Sequence, residues 1–367
     1  MGIRLLDVVA QNAPIQEQLE AAVARVLRRG QFILGPEVEA LEHEVAGFCG
    51  ARYAVGVASG TDALMLALAA VGVGRGDEVV TTAFTYVATA QAITHLGARP
   101  RFVDIDPRTW CIDPERVGRA LSRRTKAIIP VHLFGQTAEM DALNALAARR
   151  GLAVIEDAAQ AIGATYQGRG ACSLGTLGCL SFYPTKNLGA CGDGGMILTS
   201  DEELHARLRL LRVHGRASGY YYLIDGFNSR LDEVQAAFLR VKMRALADYT
   251  KLRQRNAAIY DQTLAGIPHV QPPFVPAGNQ HVYHQYSILA ERRDDLREYL
   301  KSRGIDSAVF YPLPLHQQHI YSKLHRGRLP VSEHVAQSVL ALPIAPEVVN
   351  EDAVRMVADA VRAFYKA

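Results

Sequence analysis

The side chain with the most chemistry in its setting is Lys186, inside SFYPTKNLGACGDGGMILTS (Ser181–Ser200). Apolar runs flank it, LGCLSFY before and GGMILTS after. A strand therefore delivers the lysine to a rim, and a second strand leaves immediately afterwards. Gly189, Gly192, Gly194 and Gly195 let the backbone turn sharply and approach a ligand closely. A lysine held this way can form a Schiff base with an aldehyde cofactor. A surface lysine in a turn has the same local sequence, so the assignment depends on the lysine's company.

Four other segments supply that company. In ASGTDALMLALAAVG (Ala58–Gly72) a strand ends, Gly60 follows and a helix starts at Thr61. Free N–H groups and the helix dipole make such a start an anion seat suited to phosphate, with the Thr61 hydroxyl as an added donor. The plain alternative is an N-cap made by Ser59 or Thr61. In VIEDAAQAIGA (Val154–Ala164) an apolar strand ends in Asp157, where open α/β sheets bind ligands. Opposite a pyridine nitrogen, this carboxylate would keep the ring protonated and make it an electron sink. Gln160 could hydrogen-bond a ring substituent; a helix N-cap is the other reading of Asp157. In TTAFTYVATAQAI (Thr81–Ile93), Tyr86 is assigned to lie flat over a planar heterocycle and Phe84 to the core. In GFNSRLDEVQAAFL (Gly226–Leu239), Asn228 and Arg230 either cap a helix or reach an anion across a subunit interface. VGVGRGD, with Gly72, Gly74 and Gly76, imitates a dinucleotide fingerprint. It follows a helix and precedes a strand, so it reads as a helix stop and turn.

The elements that must position these groups alternate. Helices are expected over Ile15–Arg28 and Pro36–Cys49, the second with proline in its first turn. Strands are expected at Tyr53–Ala58, Glu78–Thr82, Arg101–Asp104, Ala127–Val131 and Ala153–Asp157. Helices lie between them at Thr61–Val71, Val87–Leu96, Pro114–Leu121 and Glu139–Arg150. This repetition means an α/β fold with a mostly parallel sheet covered on both faces. After Asp201 the pattern is helical, ending in one long helix from Leu231 to about Leu264. PPFVPAG (Pro272–Gly278) reads as a linker or turn-rich crossover. Beyond it come strand VYHQYSIL, helix Asp294–Arg303, strand Ile305–Phe310, the loop YPLPLHQQ and two further helices, a small α+β unit.

Bulk properties exclude several classes. The 367 residues suit two domains, a large one over 1–250 with an N-terminal helical arm and a small one over 251–367. Hydrophobic residues at 49% and charged residues at 21% are ordinary for a globular chain with a large core. A net charge of +3 gives no case for nucleic acid or an anionic membrane surface. The N-terminus turns polar too early for a signal peptide, and no apolar run is long enough to span a bilayer. The five cysteines are odd in number, irregularly spaced and without CxxC, so neither zinc nor disulfides are implied. A reduced, cytoplasmic compartment fits best.

Phosphate seat, ring stacker, ring-nitrogen carboxylate and lysine occur in one order along the chain. With FILGPEVEALE, GDEVVTTAFTY, PVHLFGQTAEMDAL, YHQYSI and YPLPLHQQ, this arrangement resembles the sugar aminotransferases of the DegT/DnrJ/EryC1/StrS family over nearly the whole chain. The resemblance implies the aspartate aminotransferase fold and pyridoxal 5'-phosphate as cofactor. It implies that Lys186 holds the cofactor and shuttles the proton. Asp157 pairs with the pyridine nitrogen and Gln160 contacts the ring oxygen. Gly60, Thr61 and Ser181 hold the phosphate, and Tyr86 fills the stacking slot. Asn228 reaches the phosphate of the neighbouring subunit, with Arg230 able to share or take that role, so a homodimer is the expected functional unit.

The reaction the resemblance implies is a two-step exchange. An amino donor, typically L-glutamate, gives its amine to the cofactor, and a nucleotide-linked keto-sugar takes it in reverse. The motifs look most like members acting on dTDP-linked 3-keto-6-deoxyhexoses, which supply 3-amino sugars for antibiotics or surface polysaccharides. UDP-linked 3-keto and 4-keto sugars are the alternatives. Tyr183, Tyr311 and His316 are assigned to the substrate pocket, with a backbone-bonded loop histidine as the plain reading of His316. Three rivals remain at this level. A dehydratase of the same fold would replace the lysine, usually with histidine, and Lys186 argues against it. A regulatory protein that binds cofactor or sugar nucleotide without turnover and an amino-acid or inositol aminotransferase are the others.

Overall fold

A computed structural model describes residues 2–325 and 327–366. Its largest feature is a seven-stranded sheet built from β1 (Tyr53–Val57), β2 (Glu78–Thr82), β3 (Arg99–Val103), β4 (Thr125–Ile129), β5 (Ala153–Asp157), β6 (Leu177–Ser181) and β7 (Gly195–Thr199). The spatial order is β1-β7-β6-β5-β4-β2-β3. β7 runs antiparallel to both of its neighbours, and every other pair is parallel.

β5, β6 and β7 are buried on both faces, and the pleat sorts their side chains. Val55, Val57, Ile155, Leu177, Cys179 and Ile197 face one layer together with Leu64, Leu66 and Leu68. Ala54, Leu180, Met196 and Leu198 face the other, against Val38, Leu41 and Val45 of the helix Pro36–Cys49. That helix runs over the expected residues because both ends are encoded. Pro36 sits in its first turn, and Gly50 ends it at φ 79°, in the left-handed region. The helix Gly60–Ala70 is apolar all round and is correspondingly buried.

A smaller unit follows. The helix Leu246–Leu264 leads to a three-stranded antiparallel sheet of β8 (Val270–Gln271), β9 (Tyr286–Ala290) and β10 (Val339–Leu342), packed with the helices Arg293–Ser302 and Glu351–Lys366. Tyr260, Tyr286, Leu296, Leu340 and Val357 form its core. Position 250, the expected domain boundary, lies inside the helix Leu246–Leu264, which carries the chain from one unit to the other. The N-terminal segment packs with the small unit, through a bridge of Ile3 to Ile305.

Several expectations fail for local reasons. The long helix from Leu231 is two helices, Glu233–Met243 and Leu246–Leu264. The first buries Ala236 and Leu239 in the large unit and the second buries Tyr260 and Leu264 in the small one, so the chain must redirect at Arg244 and Ala245. VYHQYSIL is strand only from Tyr286; before it the chain is a loop, with Tyr283 at φ 45°. Ile305–Phe310 forms no ladder, only single bridges from Ile305 and Ala308. The strand β10, inside an apolar run after a helix, was not expected. Among the described residues no helix is long and apolar enough to cross a membrane.

Candidate active site

The sheet topology decides where the chemistry collects. β1, β5 and β6 are mutually parallel in direction, so their C-terminal ends lie on one edge; β7 runs the other way and starts there. Ser59 and Gly60 after β1, Asp157 at the end of β5, Ser181 at the end of β6 and the Lys186 loop between β6 and β7 are thereby brought to one rim. They border a cavity of about 510 Å3, which Thr61, Tyr86, Gln160, Tyr183 and Tyr311 also line.

Asp157 is 6% exposed. Its Oδ2 accepts the Thr89 hydroxyl at 2.7 Å and its Oδ1 the Ala159 N–H at 3.2 Å. Burial pushes its pKa up, while those two donors and the charges of Lys186 and His132 oppose the rise. No helix starts at Asp157, so the N-cap reading is overturned: residues 158–164 are turns. Gln160 folds back, accepting the Phe134 N–H at 2.8 Å on Oε1 and donating from Nε2 to the Tyr311 hydroxyl at 3.0 Å.

Lys186 is half-buried, and its N–H closes a turn onto the Tyr183 carbonyl at 2.8 Å. Loss of hydration pushes its amine down to about 8, with Asp157 opposing that fall. A larger neutral fraction near neutral pH is what a nucleophilic amine needs. The loop glycines work by close approach and not by left-handed backbone. A Cβ on Gly189 would meet the Pro184 carbonyl oxygen at 2.4 Å, and one on Gly195 the Ser59 carbonyl oxygen at 2.3 Å. None of Gly189, Gly192, Gly194 and Gly195 has a positive φ. β7 does not follow the lysine immediately but begins at Gly195.

At the helix start, Ser59 is the cap: its hydroxyl accepts the Asp62 N–H at 3.1 Å. Thr61 is free of that duty. The N–H groups of Gly60 and Thr61 have no protein partner among the described residues. Gly60 is shaped for this position, because a Cβ there would meet Cβ of Ser181 at 2.6 Å. Ser229 ties the turn together, donating to Asp62 at 2.6 Å and accepting the Ala58 N–H at 3.1 Å.

Not every expected residue arrives. Phe84 is fully buried, edge-on to Phe134 and Tyr311, whereas Tyr86 is 59% exposed with its ring 6.2 Å from that of Tyr311. Asn228 and Arg230 do not line this cavity; Asn228 is exposed and pairs its backbone with Val213. His316 sits away from the cavity of this chain. It is 5% exposed and pairs its Nε2 with Glu333 at 3.3 Å, so it bonds a carboxylate and not the backbone. Thr89, Ser229, Arg253 and His284 were missed. The only sequence signal for Thr89 is its place one helical turn after Thr85, to whose hydroxyl it is bonded at 3.0 Å.

The cavity fits a phosphorylated pyridine aldehyde. It offers an amine of lowered pKa, a buried carboxylate with two fixed donors, and a helix start opened by a glycine, with two open N–H groups. A family model described as the DegT/DnrJ/EryC1/StrS aminotransferase family matches residues 14–362. A "Pleiotropic regulatory protein" of Geobacillus stearothermophilus is 47% identical, the alignment covering 100% of this chain and 99% of that protein. A UDP-N-acetyl-3-dehydro-alpha-D-glucosamine 3-aminotransferase of Acidithiobacillus ferrooxidans is 47% identical over 97% of this chain and 96% of its own. The crystal structure of S. venezuelae DesV in complex with a ketimine intermediate superimposes with a TM-score of 0.97 at 43% identity, covering 100% of this chain and 99% of that one. The chain belongs to the DegT/DnrJ/EryC1/StrS aminotransferase family and, with it, to the aminotransferases that use pyridoxal phosphate.

Proposed function

We propose that this aminotransferase moves an amino group from L-glutamate to the 3-keto group of a sugar carried on a nucleoside diphosphate. The observation that carries the reading is the shared rim: Lys186, Asp157 and the Gly60–Thr61 helix start around one cavity. When bound, the cofactor supplies an aldehyde to take the amine and a ring to draw electrons from the reacting carbon.

The protein's own part divides among named atoms. The Gly60 and Thr61 N–H groups, with the Thr61 and Ser181 hydroxyls, bind phosphate. Asp157, fixed in place by Thr89 and the Ala159 N–H, would face the ring nitrogen and hold its proton. Tyr86 would cover the ring, and Gln160, held by Phe134 and Tyr311, would meet its oxygen. Lys186 would carry the proton between the donor carbon and the cofactor, a role its lowered pKa suits. Tyr183 and Tyr311 line the approach for the sugar. Asn228 and Arg230 serve the partner's site in a homodimer.

The substrate that the chain motifs favour is a dTDP-linked 3-keto-6-deoxyhexose. A UDP-linked 3-keto sugar is the second reading, favoured by the 47% identity to a relative named for such a substrate. Incubation with L-glutamate and a panel of dTDP- and UDP-linked 3-keto and 4-keto sugars, read by mass spectrometry, separates them. A mass change consistent with replacement of the keto oxygen by an amine, in a 3-keto compound, is the expected result. Turnover of none of the panel, with cofactor bound, would sink the nucleotide-sugar reading and favour a binding role without chemistry.

A further inference from the structure

One guanidinium of the cavity wall has no ion-pair partner among the described residues. Arg253, on the helix Leu246–Leu264, lines the cavity and is 3% exposed. Its Nη1 donates to the carbonyls of Tyr283 at 3.1 Å and His284 at 3.5 Å. Nε and Nη2 have no hydrogen-bond partner among the described residues, and neither is one of the unpaired side-chain atoms sealed from solvent. Those N–H groups therefore open on the cavity. No carboxylate neutralises the charge at close range. Asp157 takes its bonds from Thr89 and Ala159. Glu347 acts on Arg253 only through its field: Oε1 accepts from Gln11 at 3.2 Å and Oε2 has no partner. A buried charge without a counter-ion is costly, and a planar guanidinium fits a carboxylate with two parallel hydrogen bonds.

The guanidinium is also fixed relative to the lysine loop. The backbone it holds is gripped from the other side by Asn187, the residue after Lys186. Nδ2 of Asn187 donates to the Val282 carbonyl at 3.2 Å, and its Oδ1 lies 3.2 Å from Nδ1 of His284. His281 fastens the same turn, accepting the Tyr283 N–H at 2.8 Å on Nδ1. Burial limits what can reach Arg253: only the tip of a ligand enters so closed a corner. The diphosphate of a sugar nucleotide lies in mid-molecule, between sugar and nucleoside. The α-carboxylate of an amino acid is terminal, and it is bonded directly to the carbon whose proton Lys186 would take.

We propose that Arg253 binds the α-carboxylate of the amino donor through Nε and Nη2 and so sets the donor carbon beside Lys186. The proposal rests on the reading of L-glutamate as the amino donor. It goes beyond that reading in naming the residue that recognises the donor. Arg253 then serves one half of the exchange, since a 3-keto-6-deoxyhexose carries no carboxylate.

The test uses the full-length protein with cofactor bound, and follows each half of the exchange separately by the cofactor's absorbance. Arg253→Gln is expected to need roughly 10 to 100 times more L-glutamate for half-maximal rate, with the keto-sugar half much less affected. Arg253→Lys keeps the charge but loses the fork, so it should fall between; it also serves as the second variant should Arg253→Gln not fold. A comparison of donors separates recognition from damage to residues 282–284. The parent should favour L-glutamate over 4-aminobutyrate, which lacks the α-carboxylate, and the variants should lose most of that preference; damage to the turn would slow both donors alike. Calorimetry with glutarate, which has both carboxylates and no amine, reads binding without turnover and should show the same order of parent, Arg253→Lys and Arg253→Gln. An undiminished donor preference in both variants overturns the proposal, as does a loss of equal size in both halves. A loss confined to the keto-sugar half would give Arg253 to the diphosphate and overturn it too. Failure of the donor reading looks different: the parent itself would take no amine from L-glutamate, and the proposal would fall with it.

Discussion

The Thr89 hydroxyl donates to Oδ2 of Asp157 at 2.7 Å, across 68 residues of chain. Asp157 otherwise has one backbone donor, and burial works against its charge. Removing the hydroxyl should therefore cost more than an exposed hydrogen bond would. Hydrogen bonds to charged groups are worth about 1.5–3 kcal/mol, so Thr89→Val is expected to weaken cofactor binding by roughly one to two orders of magnitude. Thr89→Ser should stay near the parent. Absorbance titration of the cofactor-free protein checks this; equal affinity in Thr89→Val would remove Thr89 from the ring-nitrogen machinery.

Lys186 makes a stability prediction with a definite pH sign. Its ordinary pKa of 10.5 falls to about 8 in the folded chain. Below pH 8 both folded and unfolded chains carry the proton, and the folded chain bears the whole cost of a poorly hydrated ammonium. Between about 8 and 10.5 the unfolded chain binds more protons, so stability rises with pH; above 10.5 the cost is gone. Lys186→Met should then stabilise the cofactor-free protein at pH 7 by up to about 3 kcal/mol, while abolishing turnover and the bound-cofactor chromophore. Denaturant melts at pH 7, 9 and 10.5 should show the gain fading. A gain constant over that range would contradict a lowered amine pKa.

What the sequence made legible is what neighbouring residues encode. Short β-like runs marked β2 and β5 with their bounds, and Pro36 marked the first turn of a helix that ends at the expected Cys49. Asp157 could be placed because it ends an apolar strand, and Lys186 because its loop joins two strands on that edge; Gly60 and Ser181 as a phosphate seat came from the resemblance. Thr89, Arg253 and His284 were not legible, because their roles exist only where distant elements meet. The same holds for the redirection at Arg244 and Ala245. Helical periodicity runs through it, and only the separate cores of the two units reveal the break. His316 shows the converse case: the sequence offers a polar loop residue, and only the fold shows that a carboxylate of a later helix, Glu333, pairs with it.

Gly60 tests the phosphate seat. A methyl group there would lie 2.6 Å from Cβ of Ser181, so one of two backbones must move. Overpacking of this kind costs about 1–3 kcal/mol, and Gly60→Ala is expected to raise the cofactor dissociation constant about tenfold or more. Ser181→Gly alone should weaken binding through its lost hydroxyl. In the double variant the Cβ–Cβ clash is removed and only a tight 3.2 Å contact with the residue 181 Cα remains, so its affinity should lie above the value obtained by adding the two single losses. Strict additivity would mean that the two positions do not share a wall.

Asn228 and Arg230 test the dimer. Neither lines the cavity of its own chain, and Asn228 is exposed, as a residue serving a second subunit would be. Lys186→Ala and Asn228→Ala should each be impaired as pure proteins. When subunits are exchanged, a mixed dimer holds one chain with the lysine and another with the asparagine. If Asn228 acts in trans, one of its two sites is complete, and random mixing should restore about a quarter of the parent activity. If Asn228 acts within its own chain, neither site of the mixed dimer is complete and nothing is regained. Repeating the exchange with Arg230→Ala shows which of the two side chains crosses, since only the crossing residue can be complemented by a chain that lacks its lysine.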